Sequence, residues 1–196
     1  FAADHKKERI LTAAFINTLF GGVIIALVGF FRSNFTFAAA SLPIFSIRAV
    51  LEILQIHLSF AAIARTERST HSSLHSLTIP LLLIVDIVLG YHLSRLQITG
   101  ILIVLIATSI LITRTRGGRS GTVLALLSSI NAVATISLLK YNITHYNSVE
   151  AEQTFMYAFL ACYFFIASFF FAKENPFTLA WREKMFLTQG AAQAVG

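Results

Sequence analysis

The chain has 196 residues, of which 56% are hydrophobic and 12% charged, and its formal net charge is +6. Soluble domains carry about 25% charged residues, so this composition, with a mean hydropathy of +0.75, excludes an ordinary soluble domain and fits an all-α polytopic membrane protein, a helical bundle in lipid. The positive charge does not point to nucleic acid, because Lys and Arg are parcelled out among the loops with no patch interleaved with exposed aromatics.

A bilayer span needs about 20 mostly apolar residues. Six such stretches are predicted, at 10–31, 43–64, 74–92, 97–113, 121–140 and 153–172, and a seventh begins near residue 184. The chain starts without Met and its last residues have mid-helix character. The expectation is therefore a piece of a longer protein, truncated to about six and a half spans.

The second span carries the first polar feature. At about 100° per residue, Arg48, Glu52, Gln55 and Ser59 fall on one stripe of an otherwise apolar helix. Such a stripe has to face protein or water rather than lipid. Two readings stand: the wall of a substrate cavity, or an Arg48–Glu52 pair at i, i+4 that neutralises itself, with Arg48 near enough to the helix start to snorkel. His57 lies on the opposite face and is expected to be a packing histidine.

The third span holds Pro80 and Asp86. A charge at that depth is costly unless paired or wetted, so Asp86 is a candidate cavity residue. The plainer reading is a structural aspartate bonded to Ser or Asn of a neighbouring helix. Treated as one continuous helix, the span puts Asp86 on a face with Ser72, His75 and Gly90, where the glycine would admit another backbone or a ligand. Pro80 lies on a different face and frees a carbonyl near the middle of the helix. His71 and His75 are four apart, but they stand at a loop end, and neither a metal site nor a cofactor is expected.

The elbow between the third and fourth spans, residues 90–95, is short enough to force them antiparallel and adjacent. The fourth span has few polar atoms beyond Gln97, Thr99, Thr108 and Ser109, which suits a peripheral scaffold or homodimer face. In the fifth span, Ser128, Asn131 and Thr135 lie within about 60° of one another at helical spacing. They either glue helices together or line the same cavity. Cys162, in the sixth span, reads as a small packing residue. Beyond it, Asn175-Pro176 looks like a helix start, and Trp181 like an interface anchor.

A proline within a helix, then Leu89-Gly90, an elbow, Leu93, Gln97 and Gly100 before an apolar run resembles the EamA-type families of the drug/metabolite transporter superfamily. The matching residues are Pro80, Leu89, Gly90, Leu93, Gln97 and Gly100; where the family usually has glutamate after the Leu-Gly, this chain has Tyr91. The resemblance implies that this block is the fourth and fifth helices of a five-helix repeat, with the fifth outside the cavity. It gives Pro80, Gly90 and Gly100 structural roles.

A shift of 141 residues lays 12–31 on 153–172, Arg32 on Lys173, Phe45 on Phe186, Arg48 on Gln189 and Glu52 on Gln193. An odd number of spans per copy inverts the second copy, as in many transporters. The expected organisation is a first repeat over 1–113 that lacks its first helix, a glycine-containing linker over 114–120, and the start of a second repeat over 121–196. The whole would be a 5+5 inverted-repeat fold.

Eleven Lys and Arg lie in loops on the N-terminal side of the bundle and three in the opposite loops. By the positive-inside rule the N-terminal side is cytoplasmic, whereas the resemblance alone would reverse it. The sequence carries no metal-binding helix motif, nucleophile elbow or phosphate loop, so no enzyme is expected. The expected function is a secondary transporter or exporter of small metabolites or drugs in a bacterial cytoplasmic membrane, working by alternating access on a polar or zwitterionic solute. Glu52 and Asp86 are its groups able to exchange a proton. The alternatives are a non-transporting membrane scaffold or assembly subunit, and a lipid-linked-sugar translocase of the same fold.

Overall fold

A computed structural model describes residues 2–66, 68–88, 94–114 and 119–172. Among these every regular element is helical: α1 (Ala2–Phe31), a 3₁₀ turn (Ala39–Ser41), α2 (Leu42–Ile63), α3 (Arg68–His75), α4 (Thr78–Val88), α5 (Arg95–Arg114), α6 (Arg119–His145) and α7 (Val149–Ala167), which widens into a π-type turn over Ser168–Ala172.

The boundaries have local causes. Ser148 caps α7, its Oγ accepting the Ala151 N–H, and Glu150 and Glu152 in the first turn complement the positive end of the helix. At the start of α5 the Ser94 N–H donates to Gln97 Oε1 at 2.8 Å, and the Gln97 N–H donates back to Ser94 Oγ at 3.3 Å. That is a capping box, and it gives Gln97 of the sequence motif a helix-starting role.

The third predicted span is not one helix. Pro80 has no N–H to give to the Ser76 carbonyl. That carbonyl instead accepts the Ile79 N–H at 3.3 Å, and the Leu77 N–H reaches only back to Leu74. The chain turns at Ser76 and Leu77, between α3 and α4. The chain is not regular helix through Ser76 and Leu77, so a face counted at one constant angle per residue does not carry from Ser72 and His75 to Asp86. Gly90 lies outside the described residues, as do most of the elbow, residues 115–118 of the linker expected over 114–120, the seventh span with Trp181, and the repeat partners beyond 172; the linker's ends, Arg114 and Arg119–Ser120, are helical, in α5 and α6.

Among the described residues, five stretches are long and apolar enough to cross a membrane: Ala14–Phe31, Ala39–Ile63, His71–Val88, Ser120–His145 and Val149–Phe170. The predicted 97–113 span corresponds to a shorter apolar stretch, Arg95–Ile110. The helix that contains it, α5, runs for 20 residues and rises about 30 Å, close to the thickness of the hydrocarbon core. The burial pattern fits lipid. Phe30, Phe31, Val88 and Leu96 are 77 to 85% exposed, while Arg48, Asn142, Ser128 and Glu152 are almost completely buried. That inverts the pattern expected in water.

Two compact units are distinguished, residues 44–141 and residues 1–43 with 142–196. In the first, Ala62, Leu74 and Ala125 form a small core edged by Leu77, Leu124 and Leu126, and α5 packs on α3 and α4. In the second, α1 packs along α7, burying Phe15, Ile16, Met156, Leu160 and Phe164. A Cβ on Gly22 would stand 3.0 Å from Tyr157 Cβ, so glycine there sets how closely the two helices approach. Cys162, expected to pack, is an exposed free cysteine. The buried positions of α7, such as Leu160, Ala161 and Phe164, belong to its other face.

Candidate functional site

The predicted stripe of α2 meets α6 in the unit formed by residues 44–141. The Gln55 amide donates to Ser128 Oγ at 2.9 Å and, more weakly, to Ser59 Oγ at 3.4 Å. Ser59 and Ser128 hydroxyls lie 2.9 Å apart. The Asn131 amide donates to Gln55 Oε1 at 2.9 Å and to the Leu51 carbonyl at 2.8 Å. Four of the predicted residues, Gln55, Ser59, Ser128 and Asn131, therefore form one interhelical network. The interaction with the Leu51 carbonyl matters physically, because it ties a side chain of α6 to the main chain of α2.

One turn before this network, Arg48 and Glu52 form the i, i+4 pair, with 3.4 Å between Nη2 and Oε1. The Arg48 side chain is 3% exposed and that of Glu52 23%. The pair thus has a closed cationic end and a more open carboxylate end. Arg48 and Glu52 are the tenth and fourteenth of the 25 residues of the Ala39–Ile63 stretch. His57 is an exposed residue of α2; it lies about 180° around the helix from the stripe that α6 covers.

Asp86 is bonded neither to Ser nor to Asn. Lys140 Nζ of α6 donates to its Oδ1 at 2.7 Å, with the two side chains 45% and 27% exposed. The fifth span was expected to end at residue 140. Because α6 runs on to His145, Lys140 lies inside the helix and its ammonium reaches α4. Counting at about 100° per residue, Lys140 and Ser129 fall within about 20° of each other, while Ser128, Asn131 and Thr135 cluster on a face about 100° or more away. Ser129 accordingly donates to the Leu74 carbonyl of α3 at 2.9 Å. So α6 offers one polar face to α2 and another to α3 and α4. Asp86 and the Gln55 network engage different faces of α6.

Of the structural residues, Pro80 is buried at the break before α4, and a Cβ on Gly100 would meet nothing within 4 Å. The His71 and His75 rings stack, 6.0 Å between centroids, along α3.

A second polar cluster, absent from the sequence reading, lies in the other unit. Asn147 is its node. Its amide donates to Ser41 Oγ at 2.9 Å and to Glu152 Oε2, and its Oδ1 accepts the Ala38 N–H at 2.8 Å. Asn142 donates to Glu152 Oε1 at 3.1 Å, and Glu152 is wholly buried. Glu150 accepts from Arg32 and Asn34, each at 3.3 Å, while the Ser148 N–H donates to the Thr36 carbonyl at 2.9 Å. The turn before α7 is thereby fastened to the segment after α1. The signal present in the sequence was Asn147-Ser148 followed by two glutamates: a cap with acidic residues behind it marks a helix start. It does not say that the second glutamate is buried.

No protein-family profile matches the chain, and no curated protein matches it.

Proposed function

We propose that this protein is a secondary transporter or exporter of small metabolites or drugs, built on the drug/metabolite transporter plan and working by alternating access in the cytoplasmic membrane. The observation that carries the reading is the Arg48–Glu52 pair, a buried charge pair in the middle of a membrane-length apolar stretch with its carboxylate end partly open. Ionisable groups at that depth are expensive and typically mark a solute or proton path. A mixed cation and carboxylate favours a zwitterionic or polar organic solute. The inverted-repeat plan gains support from α1 and α7, the two helices that the 141-residue shift superposes, packing against each other. The Lys and Arg count argues for an N-terminal side in the cytoplasm. A cysteine at Ser120 should then resist labelling from outside, and one at the exposed Val149 should accept it.

The test is uptake and efflux in proteoliposomes with a broad panel of metabolites, with and without a pH gradient. Glu52→Gln should lower transport at least tenfold while the protein still inserts and folds. Parent-like transport by both Glu52→Gln and Asp86→Asn would rule the carboxylates out of the mechanism. A second reading, a non-transporting scaffold or assembly subunit, is favoured by the way Gln55, Ser59, Ser128 and Asn131 satisfy one another across α2 and α6. A parent that moves no solute of the panel would decide for it.

A further inference from the structure

The break between α3 and α4 divides this stretch into a fixed half and a half held at its far end. Upstream, Leu74 is buried with Ala62 and Ala125, and its carbonyl accepts the buried Ser129 hydroxyl of α6. Downstream, α4 buries only Thr78 and Pro80, at its start, while Ile79, Ile84, Ile87 and Val88 are all about half exposed or more. Among the described residues, Asp86–Lys140 is the side-chain hydrogen bond that joins α4 to another helix. Between the two halves the regular i to i−4 ladder is interrupted, because Pro80 cannot donate and the Leu77 and Ile79 amides reach back only three residues. A helix missing a ladder bond at one point, anchored on one side and held on the other by a single charged contact, has the parts of a hinge and a catch.

We propose that the Asp86–Lys140 pair is an ionic latch that holds α4 against α6, and that α4 swings about Ser76–Leu77 when the pair opens. The geometry suits a bond that is made and broken. The contact is short, 2.7 Å, yet both side chains stay partly exposed, near the far ends of α4 and α6, so neither charge is sealed inside packed protein. A fully buried pair would be too costly to open, since separating it strands a charge. The neighbour α5 packs on both α3 and α4, and the side chains along its described length are mainly apolar, so it can shift along them without breaking directional bonds. The inference concerns motion alone and holds whether or not the protein moves a solute.

The test uses spin-label distance measurements on the whole protein in lipid. One label pair, at Ile84 of α4 and Ile136 of α6, reports the latch. A control pair, at Ser72 of α3 and Ile130 of α6, reports the anchored half. The parent should give a single narrow distribution for both pairs. Asp86→Asn should add a longer-distance population to the first pair and leave the control unchanged. Exchanging the charges, Asp86→Lys with Lys140→Asp, should remove that population. Adding Pro80→Ala to Asp86→Asn, which restores the missing donor, should reduce it. The proposal is overturned if Asp86→Asn keeps the parent distribution or if the control pair broadens equally. It is also overturned if the exchanged pair fails to close the gap, or if Pro80→Ala changes nothing.

Discussion

The two units bury polar groups in opposite ways. Around α7 the polar residues sit at helix ends, where the turn at 146–148 meets the segment after α1, and one side chain serves many partners. Asn147 alone reaches Ala38, Ser41 and Glu152. Between α2 and α6 the polar residues sit mid-helix and share their bonds laterally, so that Gln55, Ser59, Ser128 and Asn131 each have a partner left if one bond is lost. The first arrangement is built around a single node with a buried carboxylate, and the second is distributed and neutral. The difference teaches that the count of hydrogen bonds is a poor guide to consequence. What matters is whether losing one group strands a charge.

Three experiments sharpen the contrast. Asn147→Ala should be the most damaging, costing about 3 kcal/mol or more, because it withdraws a donor from the buried Glu152 carboxylate and leaves the Ala38 N–H unpaired. Unfolding in mixed detergent micelles measures it, and a loss below about 1 kcal/mol would show that the node is not one. Gly121→Ala comes next. A Cβ there would lie 2.7 Å from the Arg65 carbonyl oxygen and 2.3 Å from Thr66 Cγ2. The added carbon should cost about 1–3 kcal/mol, the usual range for overpacking, read by the same assay; a neutral result would mean that the turn after α2 yields freely. The smallest effect is expected within the distributed network. A double-mutant cycle of Gln55→Leu and Asn131→Leu should give a coupling near about 0.6 kcal/mol, the average for such bonds in membranes. A coupling as large as the Asn147→Ala loss would erase the distinction between the two regions.

Much of the site was legible because helical spacing is local arithmetic. The stripe from Arg48 to Ser59 and the polar patch of α6 follow from positions alone, and the structure joins Gln55 and Ser59 of the one to Ser128 and Asn131 of the other. The break at Ser76–Leu77 was only half legible. Pro80 announced a freed carbonyl, but the stretch was expected as one continuous helix, and it is two, α3 and α4. The partner of Asp86 was hidden because the fifth span was expected to stop at residue 140, whereas α6 continues to His145 and sets Lys140 inside the helix.

The sequence by itself determined that this is a helical chain with membrane-length apolar stretches and which of its residues share a helix face, because hydropathy and the 3.6-residue period are properties of consecutive residues. Tertiary structure alone decided which faces meet. It paired Asp86 with Lys140, 54 residues away, and buried Glu152 against Asn147 and Asn142. The physical reason is that a buried polar group takes its partner from whatever the packing brings within about 3 Å, and no local pattern encodes that neighbour.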